Sequence, residues 1–340
     1  MKKTIVILIC VLFVLTLLPG CGSTAASQQS GVPASPVSSG SQDAPAEKLR
    51  IVTTIFPEYD WVMNLLGDRA ENAEVTLLLD NRVDLHSYQP TVEDIVRISG
   101  CDLFVYVGGE SDGWVEGALA EAANKNMLTV NLLETLGDSV KEEELVEGME
   151  AEEEEHEEEA EYDEHVWLSL KNADVLCRAI AAALEQIDPA HAESYRANLD
   201  VYTEKLAALD CDYRDAVDAA PVKTLLFGDR FPFRYLVDDY GLEYYAAFMG
   251  CSAETEASFE TIVFLARKVD ELGLKAICRI ESSDGSIAAT IRENTQSRDQ
   301  EILVLDSMQS TTSKDAAEGA NYLGIMNRNL SVLKSALQQA

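Results

Sequence analysis

The chain has 340 residues, 47% of them hydrophobic, with 60 acidic side chains against 26 basic ones and a formal net charge of −34. That length suits roughly two domains besides leader segments. The acidic balance excludes nucleic acid as a partner, because phosphate binding needs a basic surface.

At the start, Lys2 and Lys3 precede an apolar stretch from Ile5 to Leu18, short for a membrane span but suited to a secretory signal over residues 1–20. The stretch ends in Leu18-Pro19-Gly20-Cys21, which resembles a bacterial lipobox. The resemblance implies cleavage before Cys21 and a lipid on that cysteine; the plainer alternative is an ordinary signal with an incidental cysteine. Residues 21–47 are rich in Ser, Ala, Gln, Gly and Pro and are expected to form a flexible tether.

The body alternates strand-like and helix-like patterns twice. Residues 48–187 carry apolar runs at Leu49–Ile55, Ala73–Leu79, Asp102–Val107 and Met127–Leu132, with helical patterns at Pro57–Leu66 and Trp114–Asn124. Residues 221–340 repeat the rhythm at Lys223–Phe227, Leu242–Phe248, Lys275–Ile280 and Glu301–Leu305, with a helical stretch at Ser258–Leu272. Such alternation predicts an α/β protein of two lobes, each a mostly parallel sheet flanked by helices. Between them, within 188–220, Pro189 opens the longest helical pattern: Tyr195, Leu199, Tyr202, Leu206, Leu209, Tyr213 and Val217 follow at spacings of three and four. A helix over Pro189–Ala219 would be about 45 Å long and run along both lobes as a spine; two helices broken near Asp210 are the alternative. A continuous spine predicts a ligand cleft between the lobes with limited closure.

Residues 141–164 hold fifteen carboxylates and one histidine, His156, and account for −14 of the net charge. No packed core can form from such a run, so it reads as a solvated loop. Two of the chain's four histidines, His156 and His165, lie in or beside it, which points to a divalent cation rather than an organic substrate. In parallel sheets ligands sit beyond the carboxyl ends of strands. His86 falls in such a place, framed by the turn Asn81-Arg82-Val83-Asp84 and by Pro90, and His165 opens an apolar segment with Trp167 and Leu168. Taken alone, each is a metal ligand or a polar residue at the edge of packed structure. His191 reads as a solvated or cap-region residue. No close cysteine pair occurs, so a cysteine-built zinc site is not expected; Cys251 and Cys278, both near strand ends of one half, are the candidate disulfide.

The order Thr53-Thr54-Ile55-Phe56-Pro57, Asp84-x-His86-Ser87-Tyr88-Gln89-Pro90-Thr91, Cys101-Asp102-Leu103-Phe104, an acidic histidine-bearing loop and His165-Val166-Trp167-Leu168 resembles the zinc/manganese-binding solute-binding lipoproteins of bacterial metal ABC transporters. The resemblance spans the chain after the tether. It implies two α/β lobes joined by a long helix, one metal ion in the cleft, and no enzyme activity. His86 and His165 match the family's first two histidine ligands. Gly228 stands where the third, a histidine, is expected; Asp229 beside it is a candidate oxygen ligand or half of an ion pair with Arg230. The last carboxylate falls to Glu281 or Asp284, the latter alternatively a helix cap. The expected cargo is Zn²⁺, with Mn²⁺ possible, since two imidazoles and one or two carboxylates suit both. The implied partners are a membrane permease and its ATPase, with the protein a monomer held outside the cytoplasm on the cell membrane through lipid on Cys21. His156 would be a weak accessory ligand in a loop that raises local cation concentration. A manganese- or iron-preferring relative is the nearest alternative reading; a zinc-dependent hydrolase and a surface adhesin are rivals of other classes.

Overall fold

A computed structural model describes residues 48–150, 161–252 and 256–338. The expected signal, tether, Cys21 and His156 lie outside the described residues. In the first lobe the order is β1 (Leu49–Thr53), α1 (Phe56–Leu66), β2 (Ala73–Leu77), α2 (Val92–Gly100), β3 (Leu103–Tyr106), α3 (Val115–Ala120), β4 (Leu128–Asn131), α4 (Leu132–Leu136) and α5 (Leu170–Ile187). Its four strands lie in the order β2-β1-β3-β4, every pair parallel. Then come α6 (Ala192–Ala219), β5 (Thr224–Phe231), α7 (Arg234–Tyr240), β6 (Glu243–Met249), α8 (Phe259–Leu272), β7 (Ala276–Ile280), α9 (Ser286–Asn294), β8 (Glu301–Leu305), α10 (Ser313–Ala317) and α11 (Tyr322–Ala336). The second sheet repeats the pattern as β6-β5-β7-β8, again all parallel. The two-lobed α/β architecture is as read from the alternation of apolar runs: β3, buried over its first three residues, shows unbroken hydrophobic sequence, and β5 does so over its stretch Leu225-Leu226-Phe227.

The spine is one unbroken helix of 28 residues, beginning at Ala192 after a 3₁₀ turn over Pro189–His191. Tyr195, Tyr202, Leu206, Leu209, Tyr213 and Val217 are buried along it. It packs on α1 and α5 of the first lobe and on α7 and α11 of the second. One hydrophobic core runs through both lobes, from Ile51 and Trp61 through Trp167 and Tyr213 to Phe227 and Tyr322. His191 meets Asp188 at 2.9 Å just before this helix, without capping it through its side chain.

Two sequence expectations change. β5 does not stop at Phe227 but continues to Phe231 through an irregularity between Phe227 and Arg230, so Gly228 and Asp229 lie within the strand. The acidic segment is not solvated throughout: Glu142 pairs with Tyr162 in an antiparallel bridge, and Glu143 N–H donates to the Glu161 carbonyl at 2.8 Å. The run then crosses the second lobe, with Glu144 between Tyr244 Oη (3.2 Å) and Arg234 (3.3 Å), Glu147 near Lys268, and Glu150 N–H on the Ala247 carbonyl. Positive and hydroxyl partners on the second lobe supply what a free acidic loop lacks.

Candidate metal centre

His86 sits on the single 3₁₀ turn Leu85–Ser87. Asp84 caps that turn by accepting the His86 backbone N–H at 3.1 Å, while its other oxygen takes the Arg230 guanidinium of the second lobe at 2.7 Å. Burial alone would raise the Asp84 carboxyl, but Arg230 and His86 hold it below its usual value. The His86 Nδ1 faces Ser111 Oγ at 2.9 Å and Glu164 Oε2 at 3.4 Å. Glu164 in turn accepts the Ser111 N–H and lies so close over Gly109 that a Cβ there would meet its carboxylate at 2.3 Å.

His165 is fully buried, its ring tilted against Trp167 with centroids 5.2 Å apart. Asp163 Oδ1 accepts both its backbone N–H (2.8 Å) and its Nδ1–H (3.0 Å), which fixes the tautomer and turns the Nε2 lone pair towards His86. Burial drives the His165 pKa down to about 4, so the ring is neutral, and drives Asp163 up to about 7. The two imidazoles then point Nε2 at Nε2, 3.2 Å apart. Two zinc–nitrogen bonds of about 2.0–2.1 Å at a tetrahedral angle hold their nitrogens about 3.3–3.4 Å apart, so the pair already has the spacing of a zinc chelate. Gln309 Nε2 also reaches His165 Nε2, at 3.3 Å. His86 keeps a partly exposed face, which gives the site its approach from solvent.

Among the described residues, the metal-capable donors within 4.8 Å of one another are His86, His165 and Cys251. The sequence reading missed Cys251 as a donor. Its backbone follows β6, where the Gly250 position lies flat on the His165 ring, 3.2 Å from where a Cβ would be. Burial and the nearby Asp163 and Glu143 carboxylates push its thiol well above the usual value, so it stays protonated without a cation. The disulfide expected between Cys251 and Cys278 is not formed: both are free, Cys278 being buried within β7.

The three carboxylates proposed from sequence lie outside this group. Asp229 patches the irregular stretch of β5: its Oδ2 accepts the Ile280 N–H of β7 at 3.2 Å and its Oδ1 the Arg230 N–H. Gly228 cannot carry the family's histidine, because a Cβ would meet the Ala288 backbone of α9 at 2.5 Å. Asp284 is exposed and caps α9 by accepting the Ser286 N–H at 2.8 Å. Glu281, its carboxyl raised by burial, accepts from Ser307 N–H (2.7 Å), Ser307 Oγ (3.0 Å) and Ser310. It braces the loop that delivers Gln309 to His165 rather than joining the donors itself.

The family model for "Zinc-uptake complex component A periplasmic" matches residues 51–336. The zinc-binding lipoprotein AdcA of Streptococcus pneumoniae serotype 4 (strain ATCC BAA-334 / TIGR4) is 31% identical over 297 residues, 86% of this chain and 56% of that protein. This chain thus spans little more than half the length of that relative. The high-affinity zinc uptake system protein ZnuA of Bacillus subtilis (strain 168) is 30% identical over 306 residues, covering 88% of this chain and 90% of its own. The crystal structure of the Zn(II)-bound ZnuA-like domain of S. pneumoniae AdcA superposes with a TM-score of 0.67 at 29% identity, covering 86% of this chain and 100% of that one. With a fold and a histidine pair of this kind, and a family match across nearly all its described length, the chain belongs to the zinc-uptake complex component A family.

Proposed function

We propose that this protein captures Zn²⁺ outside the cytoplasm and hands it to a membrane permease and ATPase for import, acting as a binding protein and not as an enzyme. The single observation that carries the reading is the facing pair of Nε2 atoms, with the His165 Nδ1 held by the buried Asp163 carboxyl group and the His86 Nδ1 by Ser111 Oγ. An imidazole oriented through its second nitrogen, as His165 is by Asp163, binds a borderline cation without a large reorganisation. The names of the zinc-binding relatives support zinc as the cargo. Lipid on Cys21, a signal over 1–20, a tether over 21–47 and a monomeric body are part of the same reading.

Calorimetric titration of metal-free protein with Zn²⁺ and with Mn²⁺ tests it. One tight zinc site per chain, weaker for manganese, is the expected result; absence of a tight site overturns it.

A further inference from the structure

The Gly250–Ser252 turn after β6 is pinned on three sides, by residues that the fold alone does not require there. Gly250 lies against the His165 imidazole. The Cys251 N–H donates to Glu143 Oε1 at 3.0 Å, a carboxylate near the start of the acidic segment. The Ser252 carbonyl accepts from Arg230 at 3.2 Å, and the same guanidinium holds Asp84 under His86. These contacts bring the Cys251 sulfur within 4.8 Å of a nitrogen on each histidine. The Asp229 and Gly228 positions cannot supply a third donor, one being engaged with β7 and the other packed on α9.

We infer that Cys251 supplies a thiolate as the third metal ligand, making a two-histidine, one-cysteine site, and that Glu143 is its positioning residue. The inference rests on the two-histidine reading above and deepens it. On binding, the sulfur–metal bond forms as the thiol proton leaves to solvent. Neutral imidazoles with one thiolate form a softer donor set than imidazoles with carboxylates, so the site favours zinc over manganese. The first residues of the acidic segment thereby gain a structural role, since they hold the turn that carries the sulfur.

Cobalt(II) is the direct probe, because a bound thiolate gives an intense near-ultraviolet sulfur-to-cobalt charge-transfer band. The Co²⁺-loaded protein is expected to show that band, Cys251→Ser to lose it, and Cys211→Ser, which changes the exposed cysteine on α6, to keep it. Zinc affinity of Cys251→Ser should fall at least about tenfold and its zinc-to-manganese preference should narrow, with circular dichroism unchanged. Glu143→Ala should weaken zinc while Glu143→Gln, which keeps the acceptor for the Cys251 N–H, restores it. If the band is absent and Cys251→Ser binds zinc like the parent while His86→Ala is impaired, the thiolate is overturned and the histidine pair stands. If His86→Ala and His165→Ala also bind like the parent, the whole site falls and this ligand with it.

Discussion

The Nε2 atoms of His86 and His165 face each other at 3.2 Å across 79 positions of sequence. Each ring is turned to this position by a hydrogen bond on its other nitrogen, so two nitrogens converge at the spacing that one cation would bridge. Removing either ring should therefore cost most of the affinity. We expect His86→Ala and His165→Ala each to weaken zinc binding at least about tenfold, some 1.4 kcal/mol, by calorimetry. Parental affinity in both variants would rule out the site.

Asp163 touches the His165 backbone and ring but is not among the converging donors. Replacing such an orienting group commonly costs about 10–100-fold in metal affinity. Asp163→Ala should fall in that range, measured by competition with a zinc-sensitive dye. A loss smaller than about threefold would mean that packing against Trp167 and Gly250 orients the ring unaided.

The acidic segment divides into two parts with different expected effects. Deleting 151–160 should leave the tight zinc site intact and remove only weak, salt-sensitive cation binding, because long-range attraction between exposed charges is screened by salt. Deleting 142–161 should also weaken the tight site, since it removes Glu143 from the Cys251 N–H. Equal tight-site affinity in the two deletions, read by calorimetry at low and high salt, would contradict this division.

Glu58 is fully buried and caps the start of α1, accepting the Thr54 N–H at 2.8 Å. Burial, aided by Asp112, pushes its pKa up to about 8. A carboxyl raised in the folded state binds its proton more tightly there than when unfolded. Its stabilising contribution is complete below the unfolded value and is lost as pH rises towards 8. Glu58→Gln, which keeps an acceptor and cannot ionise, should therefore gain on the parent in Tm between pH 5 and pH 9. A constant Tm difference across that range would refute the assignment.

The fold was legible because parallel strands covered on both faces leave continuous apolar runs, and α6 was legible from its row of tyrosines and leucines. The histidine pair was legible from loops at strand ends. The rest hid for identifiable reasons. Gly228-Asp229 reads as a turn, yet Asp229 supplies from its side chain the hydrogen bond that the irregular strand fails to give Ile280, so β5 runs on. Cys251 has no partner at metal-binding spacing, and a lone cysteine suggested a disulfide. The available signal was positional: the strand-end rule applied to β5 and β7 holds equally for β6, whose end is Gly250-Cys251. The acidic root looked solvated because its partners, Arg234, Tyr244 and Lys268, lie about a hundred residues away.

The shared interior bears on how freely the lobes can part. The Trp167 indole donates to the Ser307 carbonyl at 2.9 Å and the Trp167 carbonyl accepts from Tyr322 Oη at 2.7 Å, so the lobes are welded at depth. At the rim, the joins are small and exposed: Asp80 with Ser313, and Arg82 with Asp315. Prising the halves apart would tear a close-packed centre, and lifting the His86 loop would break the part-buried Asp84–Arg230 ion pair and expose the core residues Leu85 and Tyr88.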